Sequence, residues 1–162
     1  MGVDRIRRRQ LTQFLSPLGV GLTLGLAFAH VLELVVKLRL DGVHWLTVQQ
    51  NLFVAFAPVG GTIEVLAIVL TWLNVFKHDR GSHARRLTAL AAPAATAGLL
   101  EWALVVSPMN SALNAWTPVS LPADWKAVRN RWELGHAVQA GFFAVAFTAL
   151  AIAALSNEDG RS

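Results

Sequence analysis

Neither cysteine nor tyrosine occurs in this chain, and only 15% of its 162 residues are charged. Without cysteine there is no disulfide, thiolate metal site, iron–sulfur cluster or cysteine nucleophile. Without tyrosine there is no tyrosyl radical and no phenolic acid. A soluble domain carries about 25% charged residues. The shortage of charge, together with 54% hydrophobic residues and a mean hydropathy of +0.48, moves the chain into a lipid bilayer. An isoelectric point near 10.7 raises nucleic acid as a partner. The basic residues form no surface with interleaved aromatics, so nucleic acid is set aside.

What the chain does have is long apolar runs. Four of them, at about 11–38, 52–76, 87–107 and 132–155, reach the roughly 20 residues a helix needs to cross the hydrocarbon. Transmembrane β-strands would alternate polar and apolar residues, and these runs do not. The expected fold is therefore all-α: one integral membrane domain over 1–162, an up-down-up-down four-helix bundle. Residues 108–131 form its one long connection, expected as an outer cap loop. The basic start followed by Ala27-Phe28-Ala29 mimics a signal peptide. The apolar run continues through 31–36, which makes it an uncleaved first helix.

Arg5, Arg7, Arg8, Arg9, Lys77, Arg80, Arg85, Arg86 and Arg161 fall on one side of the spans, and Lys37, Arg39, Lys126, Arg129 and Arg131 on the other. The excess places both termini and the second loop in the cytoplasm, with the basic clusters against anionic headgroups. A bacterial cytoplasmic membrane is the expected location.

Each span carries one glutamate: Glu33, Glu64, Glu101 and Glu133. His30 and His136 accompany the first and last. An ionisable group at mid-membrane costs about 2.5–3.5 kcal/mol, so four unpaired carboxylates would cost roughly 10–14 kcal/mol. A bound cation, shared protons or a basic partner must compensate them. His30 and Glu33 stand at i and i+3, and Glu133 and His136 repeat the pair in reverse order, each on one helix face. Antiparallel helices would bring both histidines to one depth. Four glutamates and two histidines from four helices match the inventory of dinuclear carboxylate sites in helix bundles. The first helix departs from it by reading His-x-x-Glu. Two iron ions, or manganese or zinc, suit these donors. A site of this kind lies toward the outer side of the membrane. Small residues beside them (Gly19, Ala27, Gly60, Gly61, Gly98, Ala140) would let the helices approach.

Three other readings stand beside this one. The glutamates form a proton relay in a transporter or channel; His30 and His136 hold haem b; or Glu33 simply pairs with Lys37 and Glu133 with Arg129. Glu64 and Glu101 have no basic residue within a turn. Glu64 lies deep for a shared site, unless the second helix bends at Pro58 and Gly60-Gly61.

Asn110, Asn114, Trp116 and then Arg129-Asn130-Arg131-Trp132-Glu133-Leu134-Gly135-His136 resemble the anthrone-oxygenase-like family of small four-helix membrane proteins, over about 30 residues. The resemblance implies oxidation of the activated methylene of a polycyclic phenol by dioxygen. It makes Asn110, Asn114, Trp116, Arg129, Arg131 and Trp132 catalytic candidates beside Glu133 and His136. The expected partners are dioxygen, a lipophilic substrate, the bilayer and a second copy of the chain.

Overall fold

A computed structural model describes residues 2–156, with side chains from 10 to 156. Arg161 and the side chains of Arg5, Arg7, Arg8 and Arg9, which enter the charge count above, lie outside the described residues. Every regular element among the described residues is a helix, and none is a strand. The helices are α1 (Gly2–Lys37), α2 (Gly42–Leu52), α3 (Gly61–Lys77), α4 (His83–Glu101), α5 (Ser107–Ala115) and α6 (Trp125–Ser156). Four segments are long and apolar enough to cross a membrane: Gln10–Lys37, Phe56–Lys77, His83–Ala115 and Trp125–Ser156. They pack in a ring, α1 against α3 and α6, and α4 against the same two.

The spans are not uniform helices. Wide π-helical turns occupy Phe56–Gly60 and Trp102–Val106. Pro58 lies inside the first, and Pro108 stands in the first turn of α5, just after the second. Proline lacks the N–H that would bond to i−4 and crowds the carbonyl there, so the helix widens around it. The irregularity falls at Pro58, while Gly60 and Gly61 keep right-handed helical dihedrals.

Two connections differ from expectation. Residues 42–52 form α2, capped by Asp41, whose carboxylate accepts the His44 N–H. That bond, with a second from the His44 ring, holds the Asp41 carboxyl below its ordinary range. The cap segment 108–131 is not one loop either, because α5 covers its first third and α6 starts at Trp125. Only 116–124 is irregular. Gln50 ties the pieces together by donating to the Leu113 and Trp116 carbonyls at 2.8 and 3.0 Å.

Burial is inverted relative to a water-soluble domain. Phe76 is 74% exposed and Leu104 70%, while Ser16, Thr23, Thr71 and Thr88 are buried. Each of these hydroxyls is satisfied within the bundle, Ser16 and Thr71 by one another at 2.7 Å. Such a surface suits lipid, where every polar group must be paired inside. Close helix contact rests on small residues. A Cβ added at Gly19 would lie 2.8 Å from the Ala67 Cβ and 3.4 Å from its Cα, whereas one at Gly25 meets nothing within 4 Å.

Gly19→Ala is therefore expected to destabilise the bundle by about 1–3 kcal/mol, because the neighbour is backbone-proximal and cannot rotate away. Gly25→Ala is expected to be neutral or to stabilise by up to about 1 kcal/mol through helix propensity. Thermal unfolding of both variants in the same detergent checks the contrast.

Candidate functional site

The site begins with a lysine. Lys37 ends α1 and is 3% exposed. Its Nζ stands 2.9 Å from Glu33 Oε2, 3.0 Å from His30 Nδ1 and 3.9 Å from Glu133 Oε2. Spacings of four and seven residues put Glu33 and His30 on its own helix face. The ammonium also sits 4.3 Å from the Phe53 ring centroid and 5.1 Å from that of Trp132, cation–π distances. Glu133 completes its surroundings by accepting from Trp45 Nε1 at 3.1 Å.

The histidines meet as their reversed order anticipates. Their rings stack with centroids 4.1 Å apart and planes 21° from parallel. Trp132 packs edge-on against both, and Phe53 and Phe56 close on His30. Each imidazole is oriented by a different partner. The charged Lys37 can only donate, so His30 accepts at Nδ1 and carries its proton on Nε2. His136 Nδ1 is 3.2 Å from Gln139 Oε1, while Gln139 Nε2 lies 3.4 and 3.5 Å from the Glu64 oxygens. With its amide N–H groups facing the carboxylate, Gln139 offers its carbonyl to His136, whose proton is then on Nδ1. His136 Nε2 is left as a bare lone pair, buried and without a hydrogen-bond partner.

Beside these groups lies a cavity of about 840 Å³. Among its lining residues are His30, His136, Gln139, Glu64, Gln49 and Trp132, with apolar walls from Leu26, Phe53, Phe56 and Leu99. Asn110 and Asn114 also line it, and Asn110 Oδ1 accepts from Trp132 Nε1 at 2.6 Å, fixing the indole over the histidines.

The six expected metal ligands are not gathered into one set. Among the described residues, no three His, Asp or Glu side chains are grouped to hold a metal ion. The physical reason is Lys37, which supplies the positive charge assigned in the sequence to a cation and engages a donor atom of His30. Glu33 is exposed and bound to Lys37, Glu64 is bound to Gln139, and Glu133 lies between Lys37 and Trp45. Glu101 stands apart beside Gly135, its Oε2 buried without a partner. Haem b fits no better, since axial ligation needs the porphyrin between the imidazoles and these rings are in contact.

Arg129, Arg131 and Trp116 do not line the cavity. Arg129 is buried, and its Nη1 donates to the Leu38 and Leu40 carbonyls at 3.2 and 3.5 Å. It therefore caps the end of α1; its Nε donates to Asn130 Oδ1 at 3.1 Å. Arg131 is exposed and does not line the cavity. Trp116 packs in the apolar cluster around Trp45 and Leu113. Sequence pattern alone does not single out Gln139 or Gln49. The first has a legible signal, one turn after His136 on the same face; the second lies in a segment that reads as a connection.

Comparisons with protein-family models, with curated proteins and with solved structures found no match to this chain.

Lys37→Met leaves the buried Glu133 carboxylate without its ion-pair partner. A destabilisation of about 3 kcal/mol or more is expected. Adding Glu133→Leu should recover most of it, and a double-mutant cycle by denaturant unfolding in detergent measures the coupling.

Proposed function

We propose that the protein is a membrane-embedded oxidoreductase that admits a lipophilic, weakly acidic molecule to the cavity and takes a proton from it at His136 Nε2. The single observation that carries the reading is that nitrogen: an unprotonated base, oriented by Gln139 and Glu64, buried and bonded to nothing. A buried acceptor without a partner costs about 1–3 kcal/mol, and a proton offered by a ligand relieves it. His136 lines the cavity, and its lone pair points along the ring plane rather than into the His30 ring stacked on its face. Substrates reach it from the bilayer, and by the distribution of basic residues the site lies toward the outer face.

The resemblance to the anthrone-oxygenase-like family gives the reaction a form. His136 removes one C–H proton from an activated methylene. The resulting carbanion adds to dioxygen, and the imidazolium returns its proton to give a hydroperoxide. Loss of water then breaks the O–O and second C–H bonds and leaves a ketone. In balance, a methylene and a dioxygen molecule become a carbonyl and a water. The donor arrangement around Lys37 does not suit a dinuclear centre, and no step here runs through one. Apolar walls favour both an aromatic substrate and dioxygen. Lys37, with His30 at 3.0 Å and the exposed Glu33 at 2.9 Å, holds the second ring and its charge partners at the same end. A transmembrane relay is less favoured, because Val20, Ala67, Ile68, Ala91 and Phe143 pack as an apolar cluster within the bundle.

With anthrone as probe and protein in nanodiscs, dioxygen uptake and anthraquinone formation should both be catalysed. His136→Ala should lower the rate by about 10²-fold or more, the scale of general-base catalysis. Gln139→Leu should lower it less. A His136→Ala variant that keeps the wild-type rate would overturn the reading.

A further inference from the structure

Gln49 and Gln50 are neighbours on α2 with opposite fates. Gln50 gives its amide to two backbone carbonyls, whereas Gln49 is 7% exposed and both its Nε2 and Oε1 are buried without a partner. Gln49 also lines the cavity. A buried primary amide is normally bonded at both atoms. One left open on both at a cavity wall costs stability with no return to the free protein, and its three rotatable bonds let the amide swing into the cavity without backbone movement. An amide offers one donor and one acceptor side by side.

We infer that Gln49 is the recognition residue of the cavity, and that its ligand is an uncharged aromatic lipophile presenting a donor and an acceptor along one edge. The inference rests on reading the cavity as the ligand site, not on proton abstraction at His136. The recognised edge is uncharged because a primary amide offers a neutral donor and a neutral acceptor and no counter-charge. A site built to bond both atoms discriminates strongly against analogues that lack one, since its own polar groups then stay unpaired.

Four probes on one skeleton test this by equilibrium dialysis against nanodisc-held protein, corrected for empty nanodiscs: naphthalene, 2-acetonaphthone (acceptor only), 2-naphthol (one hydroxyl) and 2-naphthamide (donor and acceptor). Wild-type protein should bind 2-naphthamide at least tenfold more tightly than naphthalene or 2-acetonaphthone. Gln49→Leu and the isosteric Gln49→Met should reduce that preference to below twofold, leave naphthalene affinity unchanged and raise the Tm of the free protein. Either variant gives the answer if the other fails to fold. Wild-type binding without preference, or a preference that survives both substitutions, would overturn the role of Gln49 while leaving the cavity as a ligand site. Failure of every probe to bind would overturn the cavity reading and this inference together. The outcome is independent of turnover, so a failure of the proton-abstraction step does not alter it.

Discussion

A lysine ammonium buried at the end of a membrane helix decides how everything around it is arranged. Removing a charge from water costs several kcal/mol even after relaxation. Attraction between unit charges 4 Å apart returns about 4 kcal/mol at an effective dielectric near 20. Lys37 is tolerable only because several groups converge on it: Glu33, Glu133, the His30 lone pair and two aromatic faces. Trp45 and Arg129 are drawn into the same arrangement, one by bonding Glu133 and the other by closing the carbonyls beyond Lys37. The charge balance of this end of the bundle is thus internal to the chain.

Direction then propagates from two sides. Lys37 can only donate, and Glu64 in its ionised form only accepts. The first fixes His30 as an acceptor at Nδ1; the second, through Gln139, fixes His136 as a donor at the same atom. Two stacked imidazoles of identical chemistry are made inequivalent by what stands behind each. The one backed by an acid is left with an open lone pair. A polar device of this kind needs every neighbour in place, because in a low-dielectric interior an unpaired partner is costly.

Much of this was legible in the sequence. Four spans, the break in regular α-helix at Pro58, and the meeting of His30 with His136 follow from run length, proline chemistry and i,i+3 spacing read in opposite senses. What was not legible is instructive. The inventory of four glutamates and two histidines satisfies a dinuclear template by type, but ligand type does not fix what lies between the donors. Lys37, visible only as an i+4 partner of Glu33, reaches across to Glu133 because α1 and α6 pack closely, a tertiary fact. The short helix α2 escaped because its polar residues interrupt the apolar run, although Asp41 stood ready as its N-cap. Gln49 was hidden with it. The place of Arg129, a catalytic candidate by resemblance, was hidden because an arginine's use depends on which carbonyls its reach encounters, and those belong to another helix.

The opposed protonation of the two histidines is the most exposed consequence of this arrangement. Nitrogen-15 NMR of histidine-labelled protein at neutral pH, with His30 and His136 assigned by single substitution, observes it directly. Two neutral rings of different form are expected, His136 protonated at Nδ1 and bare at Nε2, and His30 the reverse. The same tautomer at both positions, or a doubly protonated ring at either, would contradict it.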